Sequence, residues 1–453
     1  MKRSIKQHIG VVLLSVLGMV LPFDPTTVQA ATSVNPALSH AIKRHLPDWL
    51  KLYKHLHSHP ELSYHEKETA GKLASHLQRL GFEVSTQLGG HGIVGVLRNG
   101  EGPTILMRTD LDALPIVEET GVPYASKVKT NDDAGTEVGV MHACGHDIHM
   151  SVWTGTTQLL TEMKDQWKGT LVAIGQPAEE KGAGAKAMLD DGLFEKFPVP
   201  DAAIALHVNA QTPSGTVGYV SGFALANVDS VNITLRGVGG HGAYPHTTRD
   251  PVVLAAQVVL ALQTIVSREV DATQPAVVTI GSIHGGTKHN IIPNEVKLQL
   301  TLRSYTDEVR QTLIESIKRI VKGQAEAAGI PGDLMPIVEL DDVFTPATYN
   351  DPDLMRLVIS SLNKAIGEEN VFELNPVMGG EDFGRYGRTE HKVPVCMLWL
   401  GAVDPKQHER FLKGEIKLPS LHSSQFAPLP ETTIQTGVAA MTQTLLDLFQ
   451  SKP

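Results

Sequence analysis

The sequence predicts an α/β fold in which a discontinuous main domain carries an inserted β-α-β-β-α-β unit. Three observations predict it. Short apolar strands alternate with helical segments from Gly92 onward, the pattern restarts near Val228 as a self-contained block, and α/β alternation resumes after about Asp342. At 453 residues the chain is also too long for one small core.

Taken in order, Lys2, Arg3 and Lys6 precede an apolar run from Ile9 to Leu21, and Val28-Gln29-Ala30 supplies small residues where a signal peptidase cuts. Residues 1–30 therefore read as a cleaved secretory signal, with a periplasmic or secreted mature protein. The run is short of the roughly 20 apolar residues a spanning helix needs, so no stable membrane insertion is expected after cleavage, an uncleaved anchor being the alternative.

Helical spacing follows over Asn35 to His57 and over Glu66 to Leu80, the second ended by Gly81. GIVGVLR, TILMRTD, TLVAIGQ and AAIALHV each read as buried strands, with helices over Ser151 to Lys164 and Ala185 to Leu193 between them. Such alternation implies an open, largely parallel sheet covered by helices, and ligands gather at the carboxyl ends of its strands. Asp110, Asp112, Glu179, Glu180 and His207 all fall where a strand runs out.

The inserted block contains strand VNITLRG, a helix opened by Asp250 and Pro251, strands VVTIGSI and EVKLQLTLRS, a helix over Asp307 to Ala327 and strand MPIVEL. This places one domain at residues 227–341 and divides the other between 31–226 and 342–453.

The net charge is −10, and becomes −12 when residues 1–30 leave with Lys2, Arg3, Lys6 and Asp24. An acidic chain without a basic cluster is a poor match for a phosphate backbone, so nucleic acid is excluded as a partner. GVGGHG at Gly237 to Gly242 satisfies the spacing of a dinucleotide fingerprint, but Pro245 and Pro251 prevent a helix from opening at the right place. Of the two cysteines, Cys396 lies in apolar VPVCMLWL and is expected to be a buried free thiol.

MHACGHDIHM, Met141 to Met150, puts one thiol and three imidazoles around Gly145. A bend there lets Cys144 and His146 enter one cavity, and thiolate with imidazole favours zinc and its softer neighbours. Downstream, QPAEE brings Glu179 and Glu180 to a strand end. Adjacent residues of a strand face opposite ways, so both can serve one site only where Pro177, Gly182 and Gly184 break the strand. One carboxylate could then bind metal while the other acts as general base. His207 and His422 stand alone in sequence, where a hydrogen-bonded core histidine is a commoner reading than a ligand.

RTDLDALPI, MHACGHD, QPAEE, ALHV, GGHGAYPH, NIIPNEVKLQLTLRS, GGEDF and LHSS occur in an order that resembles the amidohydrolase branch of the metal-dependent aminoacylase and carboxypeptidase superfamily, which includes hippurate, N-acyl-amino-acid and auxin-conjugate hydrolases. HSHPELSYHE resembles that branch's opening signature. The resemblance implies a zinc-peptidase-like main domain and a ferredoxin-like insert serving as lid and dimerisation domain, with a homodimer through the lid allowed. It further implies two divalent metal ions, zinc first, with manganese, cobalt or nickel tolerated. Cys144 would bridge them, His146 and His207 completing one site and Glu180 and His422 the other, with Glu179 as general base and Asp112 orienting a ligating imidazole.

By the same resemblance His241 would polarise the scissile carbonyl, often across a dimer, while Asn290, Arg303 and Gly379 would bind the substrate and its carboxylate. Asp110 and Arg108 would hold the strand end, and His55, His57, His59 and His65 would ligate nothing. Lys129 to Glu137 and Lys406 to Leu418 look like insertions at the pocket rim, and Ala427 replaces a common Asp. The implied reaction is cleavage of the amide bond of an N-acyl amino acid or similar small amide, the alternative being a carboxypeptidase or dipeptidase on short peptides. A relative that carries metal without turnover would not need Glu179. An inserted domain that supplies His241 should also hinge between open and closed states.

Overall fold

The computed structural model describes residues 36–451; the proposed leader lies outside the described residues. Twelve strands position the site. Six open the main domain: β1 (Glu83–Leu88), β2 (Gly92–Arg98), β3 (Thr104–Asp110), β4 (Thr170–Gln176), β5 (Ala202–Pro213) and β6 (Val217–Tyr219). β7 (Asn227–Arg236), β8 (Ala276–Gly285), β9 (Glu295–Ser304) and β10 (Ile337–Leu340) form a second sheet, and β11 (Val371–Glu373) and β12 (Val395–Val403) return to the first.

The first sheet has eight strands in the order β1-β2-β4-β3-β5-β12-β6-β11. Its centre, β4-β3-β5-β12, is parallel as expected. Its flanks correct that expectation, because β1, β2 and β4 pair antiparallel, as do β12 and β6. For β1 and β2 the reason is local: Gly89 and Gly90, at φ of 63° and 111°, close a tight turn that returns the chain beside itself.

Central strands are almost wholly buried because both faces are covered. Ile105 and Met107 enter the core formed with α1 (Pro36–Ser58), α3 (His146–Glu162), α6 (Pro352–Ile366) and α7 (Pro430–Gln450), while Leu106 joins a second core with Met188, Leu193 and Phe383. α2 (Lys67–Arg79) packs on β1 and β2. The smaller sheet, ordered β8-β9-β7-β10 and antiparallel throughout, buries Val231, Ile233, Leu298 and Leu300 against α4 (Pro251–Thr264) and α5 (Asp307–Ala327). Asp250 caps α4 by accepting from the amides of Val252 and Val253, and Thr306 caps α5 through Val309.

Two helix boundaries differ from the sequence reading. α3 starts at His146 rather than Ser151; its residues from His146 to Thr157 are buried on every side, so no polar stripe marks where it begins. The helix expected over Ala185 to Leu193 is two, Gly184–Asp190 and Leu193–Lys196, divided by Gly192 at φ 86°. The suspected insertions form a small hairpin, Lys129–Asn131 with Glu137–Gly139, and a helix, Pro405–Leu412.

One irregularity of the main sheet makes the site. β3 pairs with β4 along its whole length to Asp110, but with β5 only from Ala202 to Ile204. Beyond that point β3 and β5 separate. The crevice opens at the carboxyl ends of these parallel strands, where open α/β sheets place ligands.

Candidate metal centre

Cys144 and His146 meet in this crevice because Gly145, at φ 80°, turns the chain into the first residue of α3. A side chain on Gly145 would meet Val208 Cγ2 at 2.5 Å, so the turn needs glycine for space as well as for backbone. Across the crevice, Ala178 at φ 49° and Gly182 at φ 60° fold Glu179–Lys181 into one 3-10 turn, which brings both glutamates to the same side. His422 arrives from a loop in a left-handed conformation, φ 64°, pinned by its amide donating to Ala143 O at 2.9 Å. Such a backbone costs about 1–3 kcal/mol in a non-glycine residue, and the surrounding loop must hold it there.

Among the described residues five triads of donor atoms lie within 4.8 Å of one another, and two of them share Cys144: Cys144, His146 and His207, and Cys144, Glu180 and His422. Cys144 Sγ lies 3.4 Å from His207 Nε2 and 3.3 Å from His422 Nε2, and His422 Nε2 lies 3.5 Å from Glu180. Cys144, His146, Glu180, His207 and His422 thus converge around one sulfur, and His146 also lies within reach of Asp110 and His149 and of Glu179 and Glu180.

Whether a metal fits can be read from the hydrogen bonds. His146 Nδ1 donates to Asp112 O at 2.8 Å and His207 Nδ1 to Val208 O at 2.8 Å, so Nε2 is the atom each ring has left for a cation; burial lowers the His146 pKa, but Asp110, Asp112 and Glu180 raise it to about 10, and a bound cation would displace that proton. His146 Nε2 and Glu180 Oε1 are buried without any hydrogen-bond partner, each an expense of about 1–3 kcal/mol if left so. Bare nitrogen, sulfur and oxygen donors converging in this way suit a divalent cation.

Electrostatics favour the same occupant. Asp110, Asp112, Glu179, Glu180, Glu381 and Asp382 surround the centre, and among the described residues Arg108 is the sole arginine or lysine that is buried. Burial, then Glu381, Glu180 and Asp382, drives the Glu179 carboxyl well above its ordinary range; burial and then Asp112 raise Glu180 to about 7 against the pull of His146. Burial, then Glu180, Glu179 and Asp110, pushes the Cys144 thiol up. A bound dication reverses that last effect, since a coordinating thiol loses its proton outright.

Asp112 orients His146 through its carbonyl, and its own carboxylate accepts from Ser63 Oγ at 2.6 Å and Glu180 N at 3.0 Å. Glu179 is 8% exposed, beside the donors, with a carboxylate oxygen 3.8 Å from His146 Nε2. Arg303 reaches the same cleft from β9, which has a volume of about 280 Å³ and is also lined by Thr345, Gly380 and Glu381.

Other expected residues lie elsewhere. His241 is exposed on a two-residue ribbon against Ile291, its Nδ1 accepting from Ala243 N, and Asn290 is exposed nearby, its carbonyl accepting from Gly242 N. Neither lines the cleft within this chain, because that ribbon is fastened to the second sheet at Gly237 and Val238. Gly379 is exposed, its carbonyl accepting from Ala226 N at 2.9 Å, and its neighbour Gly380 forms the wall instead. Of the suspected insertions, residues 129–137 touch the rim, where Asp133 pairs with the cleft residue Lys181 at 2.5 Å.

Some residues exceed their expected roles. Arg108 is ion-paired to Asp110 at 2.7 Å and Glu381 at 2.8 Å, tying β3 to the GGEDF segment. His57 is buried between Asp147 at 2.6 Å and Glu118 at 3.0 Å; burial lowers its pKa, but these carboxylates raise it to about 10, so the ring is a charged clamp from α1 to α3. His149 and Glu381 carried no assignment. His149 stands three residues after His146, one helical turn on the same face, and that spacing was the available signal.

Convergent thiol, imidazole and carboxylate donors beside a free buried carboxylate, at a strand-end crevice of an α/β sheet, define a metal-dependent hydrolase. Comparison agrees: residues 106–418 match the peptidase family M20/M25/M40. The chain is 36% identical to thermostable carboxypeptidase 1 of Saccharolobus solfataricus, covering 88% of this chain and 94% of that one. It is 34% identical to N-acetylcysteine deacetylase of Bacillus subtilis, over 85% and 97%. The structure of Bacillus subtilis YXEP protein, described as a dinuclear metal binding peptidase from M20 family, superposes with a TM-score of 0.72 at 27% identity, covering 90% of this chain and 99% of that one. The chain belongs to peptidase family M20/M25/M40 and is a hydrolase acting on amide bonds.

Proposed function

We propose that the chain cleaves the amide bond of N-acyl amino acids or similar small amides, using two divalent ions held by Cys144, His146 and His207 and by Cys144, Glu180 and His422. The observation that carries this reading is the single sulfur common to both triads with Glu179 beside them. Ions bound there would acidify a water and polarise the amide carbonyl, and zinc is the first choice for this donor set. Glu179 takes the proton from the attacking water and returns it to the leaving nitrogen, a double duty open to a buried carboxylate that stands beside the donors and outside both Cys144 triads.

Arg303 binds the substrate carboxylate. Its Nη1 is buried without a partner and borders the cleft, and a guanidinium fork matches a carboxylate. This requirement is shared by the second reading, a carboxypeptidase on short peptides, which the name of the Saccharolobus relative favours. A metal-replete preparation offered a panel of N-acyl amino acids, dipeptides and the matching carboxamides decides between them. Acyl amino acids are expected to be cleaved fastest, and Arg303→Ala is expected to raise KM about 10- to 100-fold. Equal cleavage of the carboxamides would remove Arg303 from this role, and faster cleavage of dipeptides would favour the second reading.

A homodimer through the second sheet is part of the proposal. β8 is an edge strand with one side unpaired, and Ile283 on it and Val252, Val253 and Leu260 on α4 are exposed. Open strand edges and apolar patches invite a partner. A second copy would cover them and offer a route for His241 to reach a neighbour's cleft. Sedimentation equilibrium at micromolar concentration is expected to return twice the chain mass; a monomer would rule the dimer out.

A further inference from the structure

The separation of β3 from β5 leaves backbone groups that must find partners, and they lead to a residue with no role so far. After Ile204, β5 has no neighbour on the β3 side, while its other edge stays paired with β12 through Gly401. At Val208 both peptide groups are taken up by imidazoles. The amide donates to His149 Nε2 at 2.9 Å, and the carbonyl accepts from His207 Nδ1 at 2.8 Å. His149 in turn donates from Nδ1 to Asp110 Oδ1 at 2.8 Å, and Asp110 is held by Arg108 at 2.7 Å.

Donors and acceptors fall in one direction along this chain. Because Val208 N–H must donate, His149 Nε2 is the bare acceptor and Nδ1 carries the hydrogen that goes to Asp110. The Val208 carbonyl then takes the Nδ1 hydrogen of His207, whose Nε2 lone pair faces Cys144. The His149 and His207 rings meet edge to face at a centroid distance of 4.6 Å. His149 is 2% exposed and does not line the cleft; it lies within 4.8 Å of donor atoms of Asp110 and His146, but both of its nitrogens are taken, by Asp110 and by the Val208 amide.

We propose that His149 is a positioning residue for one of the two metal sites: it replaces the missing strand neighbour of Val208 and thereby fixes the peptide that sets the tautomer and direction of His207. The inference rests on the two-metal reading above. It concerns only the site that includes His207, because Glu180 and His422 are held by other contacts, through Asp112 and Ala143 respectively.

The test counts metals in the folded protein. Wild type, His149→Gln and His149→Met are loaded with zinc, checked for native far-UV dichroism, and stripped stepwise by a chelator of known affinity. Glutamine offers an amide hydrogen to Asp110 and a carbonyl oxygen to Val208 N–H, whereas methionine offers neither. The glutamine variant is expected to keep two metals. The methionine variant is expected to hold one as before and the other about 10- to 100-fold more weakly, the usual effect of removing an outer hydrogen-bond partner. Cobalt substitution should show the same loss in one set of absorption bands.

Two tightly held metals in folded His149→Met would overturn the inference while sparing the function proposed above. Fewer than two in wild type would overturn that function, and this inference with it. If the methionine variant fails to fold, the unmutated enzyme still decides: labelled histidine should show nitrogen–nitrogen coupling across the Val208 N–H to His149 Nε2 bond, and a protonated Nε2 would refute the arrangement.

Discussion

Glu179→Gln is expected to retain both metals and to lower kcat by roughly two to four orders of magnitude, the usual share of a positioned general base. Glutamine keeps the size of the side chain but cannot accept the proton. Glu179 is outside both Cys144 triads, so its charge is not required to complete either one. Metal analysis alongside single-turnover kinetics checks the split. Unchanged turnover would assign the base elsewhere, and Glu381, which also lines the cleft, would be examined next. Loss of a metal would make Glu179 a ligand.

Metal removal is expected to have the second large effect, on turnover and on the fold together. Chelation should abolish hydrolysis, and Cys144→Val should do the same, because it deletes the one donor common to both triads. Without cations the buried carboxylates face one another. Burial lifts Glu180 to about 7 and, against the pull of Arg108, Glu381 to about 8, from an ordinary 4.5 in each case. Both pKa values are raised on folding, so the folded chain binds more protons than the unfolded chain between pH 4.5 and 8. The metal-free protein should therefore be most stable below pH 4.5 as far as these groups are concerned, and should lose that stability as pH rises through 7 to 8. Melting of the chelated protein at pH 6 and pH 8 is expected to show a drop of at least about 5 °C at the higher pH, largely removed by added zinc. A flat profile, or two metals and normal turnover in Cys144→Val, would dismantle the shared thiolate.

Much of this centre was legible because its chemistry is written locally. Cys144 and His146 are separated by one glycine, Glu179 and Glu180 are adjacent, and each pair sits at a break that residue types announce, Gly145 in one case and Pro177 and Gly182 in the other. β9 and α5 were readable to the residue for the same reason: alternation and a threonine cap are local signals. α3 was misplaced by five residues because complete burial erased the periodicity that marks a helix start. His149 was missed because its partner is a backbone amide freed by the parting of two strands, and strand pairing is not a property of either strand alone.

The amino-acid order by itself determined the succession of elements, the family and the donor types, since propensity, patterning and short-range motifs act over a few residues. Tertiary packing alone decided which donors share one cavity. Cys144 and His422 are 278 positions apart, and Cys144 and His207 are 63 apart, yet both imidazoles reach the same sulfur. Packing also separated Arg303, which reaches the cleft, from His241 and Asn290, which do not reach it in a single chain. The physical reason is that a donor's direction depends on its backbone and on the hydrogen bond at the far side of its ring. Both are supplied by neighbours that only the folded sheet brings near.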